Sequence, residues 1–323
     1  MSKEPIKLKK YNLRIERPRV VLFGNGLCIS AGKQSCDSLI NELWERYHKD
    51  NVKKPKDYDE LPFPLQVALA SDNNMEFVCK DISKTMSDEQ YYKGMNFQLF
   101  EDLLAIDADA FLTTNYSYEA EYALTAKFNN NQREKYGVFT EGVKPNKNGK
   151  RIRESSFQMH SFYRLYCQGL VKDIWHIHGE AFNYSSIIMG HYYYGKLIQH
   201  FEEELGQYNS LKNDDSEEFL MQPTSWIEMF VFGDVDIIGL GLSPAESDLW
   251  WLLEAKSHFR EKFSIKNKTS YYCLNRNSIS ESVYALLDLY GVNVVYTEDL
   301  REKFKKHYSE SIRKIEEAIY VNL

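Results

Sequence analysis

His178, Asn115 and the glycines at positions 24 and 26 are the residues whose types and spacing could do chemistry. His178 lies in Trp-His-Ile-His-Gly-Glu, residues 175–180. An imidazole titrates near neutrality and can take or give a proton, and the following Gly179 would leave room for a ligand. Asn115 lies in Thr-Thr-Asn-Tyr-Ser, directly after Thr113 and Thr114. Its amide has two donors and an acceptor, enough to hold a hydroxyl or a water. Residues 23–32 read Phe-Gly-Asn-Gly-Leu-Cys-Ile-Ser-Ala-Gly. There Gly24, Asn25, Gly26 and Cys28 would bring backbone N–H groups to a phosphate at a helix start. Each motif ends an apolar, β-branched run, so together they describe a nucleotide pocket.

Each motif also has a purely structural reading. Gly-x-Gly serves any tight strand-to-helix turn, and Thr-Thr-Asn can cap a helix beginning at 116–119. His176 and His178 alternate on a strand and should share a face. No third ligand is placed near them, so a metal site is not expected. For His176 a core role, donating to a carbonyl, is the preferred reading. A second Gly-x-Gly, in Gly-Leu-Gly-Leu-Ser at 239–243, repeats the strand–glycine–helix logic. Gly239 and Gly241 would turn another backbone edge toward the ligand, with N-cap candidates from Ser243 to Ser247 and Asp248 in the first helical turn. Asn275 stands at a later strand end, and Trp250 and Trp251 read as core or interface. The acidic residue that usually ends the second strand of a dehydrogenase cannot be located, so that fingerprint is not supported.

These residues need a sheet to position them. Short apolar runs at 19–23, 108–113, 173–178, 186–189, 235–240, 271–274 and 292–296 predict strands buried on both faces. Between them Ile40, Leu43, Trp44 and Tyr47 fall on one helical face. At the C-terminus Phe304, Tyr308, Ile312, Ile315 and Ile319 do the same. The alternation predicts an α/β fold with a doubly wound, mostly parallel, Rossmann-like sheet over residues 19–323. Helical insertions are expected at about 50–101 and 116–172, as lids or subdomains over the site. Residues 144–153 are basic and turn-rich, and 211–218 read as a solvated loop.

The chain has 323 residues and a net charge of −7, which argues against nucleic acid as the main partner. Lys7, Lys9 and Lys10 belong to an N-terminal arm, residues 1–18, expected to be a solvated end. The five cysteines form no Cys-x-x-Cys pair, which points away from a disulfide framework or zinc knuckle. No signal-peptide core and no run of 18 apolar residues is present, so a cytoplasmic protein without membrane contact is expected. The 23 Tyr, 18 Phe and 5 Trp suggest aromatic anchors at an interface.

The ordered set resembles the sirtuin superfamily between about residues 19 and 298. The run from Gly24 to Gly32 is similar to its phosphate loop, Thr-Thr-Asn-Tyr-Ser to Thr-x-Asn-x-Asp, and His178-Gly179 to its catalytic His-Gly. Gly-Leu-Gly-Leu-Ser resembles the later Gly-x-Ser ribose contact, and Cys-Leu-Asn-Arg, with Asn275, the Ile-Asn of the adenosine ribose. More narrowly, with Tyr193 or Tyr194 after the histidine motif, the set resembles bacterial sirtuin-like NADases of anti-phage defence. The zinc module of sirtuin deacylases is absent, their lid is replaced by Gly-Lys-Gln-Ser-Cys-Asp-Ser-Leu, and Asn25, Cys28 and Ser117 stand where Ala, Ser and Asp are usual.

The resemblance implies NAD+ as substrate and no metal. It implies backbone N–H groups of residues 24–28 on the pyrophosphate and Asn115 on the nicotinamide ribose and attacking water. His178 would be the base, since no Asp or Glu stands in a matched position. Products would be nicotinamide and ADP-ribose or a cyclised form. Control by homo-oligomerisation or by a regulatory partner, a translocase-like ATPase or nucleotide-processing subunit, is also implied. A non-catalytic NAD or ADP-ribose sensor and an NAD-dependent protein deacylase remain alternatives.

Overall fold

The computed structural model describes residues 6–8, 13–15, 17–33, 36–48, 52–125, 139–141, 159–167, 170–209, 219–297 and 304–320. Its strands are β1 (Ile6–Leu8), β2 (Leu13–Ile15), β3 (Arg19–Phe23), β4 (Ala110–Thr113), β5 (Phe139–Glu141), β6 (Phe162–Cys167), β7 (Leu170–His176), β8 (Phe219–Met221), β9 (Asp234–Ile238), β10 (Thr269–Cys273) and β11 (Asn293–Tyr296). Its α-helices are α1 (Asn25–Ser30), α2 (Cys36–Tyr47), α3 (Phe63–Ala70), α4 (Met75–Met86), α5 (Gln98–Ala105), α6 (Glu119–Thr125), α7 (His191–Asn209), α8 (Trp226–Phe232), α9 (Ser247–Phe263), α10 (Glu281–Leu289) and α11 (Phe304–Tyr320).

The main sheet runs β11-β10-β9-β3-β4-β7-β6-β5. Every pairing from β11 to β7 is parallel; β6 is antiparallel to both β7 and β5. This is the expected doubly wound, mostly parallel α/β fold. Side chains alternate across it with the two-residue period of a strand. Val20, Leu22, Leu112, Trp175 and Ile237 pack on one side, against α7, α8 and α9 through Leu197, Phe201, Phe230 and Leu252. Val21, Phe23, Phe111, Ile174 and Ile238 pack on the other, against α5 and α11 through Phe100, Leu103, Ile312 and Ile315. Burial on both faces explains why these strands read as unbroken apolar runs.

A third core lies off the sheet. Ile40, Leu43 and Trp44 of α2 meet Tyr58, Val67 of α3, and Val78 and Ile82 of α4, together with Ile187 and Met189 from the loop after β7. The first insertion is thus a helical cap with its own apolar centre, tied to the sheet by that loop.

Several expected elements are corrected. Residues 186–189 are not a strand: Ser186 ends a 3-10 turn, Tyr184–Ser186. Ile188 N–H then bonds to the His178 carbonyl (2.8 Å), while Ile187 and Met189 enter the cap core. Within 116–172 only α6 is helical among the described residues; β5 and β6 extend the sheet instead. The N-terminal arm contains β1 and β2, which form a separate sheet with β8. Residues 144–153 and 211–218, Lys9 and Lys10 lie outside the described residues, as do the side chains of Phe304 and Ile319. The remaining apolar residues of the C-terminal helical face, Tyr308, Ile312 and Ile315, are buried.

Gly179 ends the histidine motif at φ +87°, and a Cβ there would overlap the Ser186 carbonyl. The space expected for a ligand is filled by backbone. Gly179→Ala should therefore destabilise the fold by at least about 1–3 kcal/mol, the cost of a left-handed non-glycine residue before any overlap is relieved. Chemical denaturation of both proteins measures it; an unchanged midpoint would contradict the packing described.

Candidate active site

A cavity of about 460 Å³ opens between the carboxyl ends of the central strands and the α2–α4 cap. Asn25, Thr114, Asn115, His178, Gly241 and Ser243 line it on the sheet side. Leu43, Phe63, Ile82 and Met86 line it on the cap side, beside the ion-paired Arg46 and Asp81. Half of the residues singled out from the sequence therefore share one space, and they reach it from four different strand ends.

Gly24, Gly26, Cys28, Thr113, Gly239 and Asn275 do not line the cavity. Gly24 N–H donates to Ile238 O (3.1 Å), Gly26 N–H to Gly239 O (2.9 Å) and Leu27 N–H to Gly24 O (3.3 Å). The N–H groups expected to cradle a pyrophosphate are largely spent on the neighbouring loop. A Cβ at Gly26 would overlap the Tyr308 hydroxyl and crowd the Gly239 carbonyl, so glycine serves the close approach of α1 to α11 and to the loop after β9. Cys28 and Thr113 stand behind Asn115: Asn115 Nδ2 donates to Cys28 Sγ and its backbone N–H to Thr113 Oγ1, both at 3.1 Å. Asn275 is exposed and accepts from Asn277 N–H (2.9 Å), shaping its own turn.

Asn115 itself is not used as a helix cap. α6 begins only at Glu119, and the amide nitrogen is committed to Cys28. That bond leaves the carbonyl oxygen and one N–H for a ligand.

The two histidines do not share a face, because β7 ends at His176 and the chain turns through Gly179. His176 is buried between Tyr118 and Tyr163, with Nδ1 donating to Asn115 O (2.8 Å) and Nε2 at 2.9 Å from Glu121 Oε1. Both nitrogens face acceptors, a demand the imidazolium satisfies. Burial pushes its pKa down, but the Glu121 carboxylate, with Glu180 and the Asn115 carbonyl, outweighs burial and raises it. Burial also raises the pKa of the neighbouring Glu119. His176 is thus a core residue that braces the backbone of Asn115.

His178 instead faces α7 and α9. Its ring packs edge-on against Tyr194, and Nε2 donates to Asp248 Oδ2 at 2.7 Å. Asp248 is 0% exposed and sits in the first turn of α9, where the helix dipole favours its anion. With Nε2–H held by the carboxylate, neutral His178 presents Nδ1 as its acceptor. The arrangement can take up a proton and stabilise the cation that results.

Sequence reasoning missed two acids. Asp248 was visible as a first-turn residue, but nothing linked it to a histidine 70 positions away. Glu246 lines the cavity and occupies the N-cap position of α9, within the expected stretch from Ser243 to Ser247. Ser243 N–H donates to its Oε2 at 2.6 Å. Burial, only partly offset by that bond, pushes its pKa up to about 7.

Comparison with models of known protein families and with curated proteins finds no match to this chain.

The raised pKa of His176 carries a signed prediction. A group raised on folding stabilises fully below its unfolded value, here 6.5, and that contribution is lost as pH rises through the folded value. The stability advantage of the native protein over Glu121→Gln should therefore be largest below pH 6.5 and shrink at higher pH. Urea unfolding of both across that range tests it; an advantage that grows with pH would refute the imidazolium assignment.

Proposed function

We propose that this chain is an NAD+ glycohydrolase, cleaving the nicotinamide–ribose bond to give nicotinamide and ADP-ribose. One observation carries the reading: Asn115 and His178, from different strands, line one cavity, and the far nitrogen of the histidine is held by a buried carboxylate. The cavity volume lies within the range of small-molecule sites, and its mixed apolar and polar lining suits a nucleotide.

The chemistry asks little of a leaving-group acid. When the glycosidic C–N bond breaks, its electron pair neutralises the pyridinium nitrogen and nicotinamide departs uncharged. The ribosyl carbon gains positive charge, water adds to it, and one water proton must go. His178 Nδ1 takes that proton, and Asp248 stabilises the imidazolium formed. Asn115, braced by Cys28, Thr113 and His176, orients the ribose and the attacking water through its free carbonyl and N–H.

In this reading the chain depletes cellular NAD+ in an abortive-infection response to phage. Such an activity requires restraint, by self-assembly or by a partner subunit such as a translocase-like ATPase or a nucleotide-processing protein. The sirtuin-like motifs support that role together with the cavity.

Purified protein incubated with NAD+ should release nicotinamide without any acyl-lysine peptide, measured by chromatography. His178→Ala and Asn115→Ala should each lower the rate by roughly 10²–10⁴-fold. The His178→Ala variant strands the buried Asp248 carboxylate, so it should melt at a lower temperature, and its rate is read well below that temperature with folding verified by circular dichroism. If Asn115 served only to brace its loop through Cys28, its variant would instead lose about 1 kcal/mol of stability with normal turnover. NAD+ bound but never cleaved, or cleaved only with an acyl-lysine peptide, would overturn the reading.

Asp248→Asn should cost a comparable factor, because a side-chain amide donates to Nε2 and moves the imidazole proton to Nδ1, removing the acceptor. Nitrogen-15 shifts of the His178 ring would report the exchange of tautomers; an unchanged tautomer with full activity would rule out the dyad.

A further inference from the structure

We propose that Glu246 is a second catalytic group of this site, its free carboxylate oxygen accepting from the ribose hydroxyls and facing the ribosyl carbon as positive charge develops. The inference rests on the NAD+-cleaving reading and gives it a residue that the motifs do not contain.

The first support is placement. Glu246 lines the same cavity as Asn115 and His178. Its Oε2 accepts from Ser243 N–H, while its Oε1 has no hydrogen bond among the described residues. One oxygen is pinned by backbone and the other is available to a ligand. A pinned carboxylate loses little freedom on binding, which is what charge stabilisation by a preorganised group requires.

The second support is the loop that presents it. Leu242 adopts φ +46°, a left-handed conformation unusual for leucine, and its side chain is fully buried. Trp250 Nε1 donates to Ser243 O (3.0 Å), and Glu246 N–H donates to the same carbonyl (3.0 Å). The loop from Gly241 to Glu246 is therefore held in a conformation that its residues would not choose, and its effect is to aim Ser243 N–H at Glu246. Strained, over-determined backbone of this kind clusters at functional sites.

The third support is division of labour. His178 is bound to Asp248 and serves as the base, so the site needs a separate anion for the ribosyl cation. Asp248 cannot serve, since it is fully buried behind the histidine and does not line the cavity. The titratable and charged groups around Glu246 are Asp248 and His178 on its own side, with Glu42, Arg46 and Asp81 across the cavity; Tyr271 is also near. With its pKa pushed up to about 7, Glu246 is half ionised at neutrality. Charge stabilisation needs the ionised form, so turnover and ribose binding should both strengthen as pH rises through about 7.

The test compares native protein with Glu246→Gln and Glu246→Asp. Glutamine can still accept from Ser243 N–H, so it removes the charge while keeping the loop; melting temperature verifies this. Nicotinamide release by Glu246→Gln should fall by about 10²–10³-fold, the range for a lost charge-stabilising group. Its pH–rate profile should lose the contribution of Glu246 near pH 7 and keep the dependence on neutral His178, and the aspartate variant should recover part of the activity. Independently of turnover, calorimetric binding of ADP-ribose should tighten as pH rises through about 7 in native protein and be flat in Glu246→Gln. If native protein cleaves NAD+ and the glutamine variant matches it in rate and pH profile, the proposal fails while the enzymatic reading stands. If native protein binds ADP-ribose without cleaving NAD+, a pH response shared by the variant still overturns the contact. If native protein neither binds ADP-ribose nor cleaves NAD+, both readings fall.

Discussion

Parallel pairing through β10, β9, β3, β4 and β7 is the constraint on which the site depends. Parallel strands deliver all of their carboxyl ends to one edge, and every loop that leaves there faces its neighbours. β3 contributes Asn25, β4 contributes Asn115, β7 contributes His178, and β9 contributes the loop carrying Ser243 and Glu246. The four loops that carry them are far apart in sequence. Their proximity follows from strand order, and strand order follows from apolar side chains that must be covered on both faces.

Convergence of polar groups at a buried edge has an electrostatic cost, and the chain meets it by pairing. His176 is set against Glu121, and His178 against Asp248, in both cases with nearly complete burial of the partners. Losing one partner of such a pair would strand a charge in a poorly solvated place. The two pairs do different work. The first lies behind Asn115 and holds its carbonyl, while the second opens onto the cavity. Two similar imidazoles two residues apart are thus separated into a buried brace and a cavity-lining group by the point at which one strand stops.

The architecture was legible because strands buried on both faces leave unbroken apolar runs, as in Arg-Val-Val-Leu-Phe of β3. β6 left no such run. It reads Phe-Tyr-Arg-Leu-Tyr-Cys, and its Arg164 pairs with Asp173 on the antiparallel neighbour, 2.7 Å away. Asn115 and His178 were legible because each lies at or just beyond a strand end. The glycines were misread for an instructive reason. Glycine announces that something approaches the backbone closely, but not what. At Gly26 and Gly179 the visitor is another part of the chain. Asp248 and Glu246 were illegible as site residues because their partners are set by tertiary contacts between distant loops.

The weave of residues 187–189 makes the cap more than a wall. Ile187 and Met189 belong to the core of the cap, while Ile188 between them holds the His178 carbonyl through its N–H and receives the Tyr116 hydroxyl (2.9 Å) on its own. Tyr116 directly follows Asn115. Alternate side chains of one short strip are thus gripped by the cap, and its backbone is gripped by the loops that carry His178 and Asn115. Mechanically the strip is a linkage, and in evolutionary terms it is a tether on drift. A lineage cannot remodel the cap to admit a new ligand without shifting the histidine and asparagine at the same time. The shape of the cap wall and the placement of His178 and Asn115 are therefore inherited together.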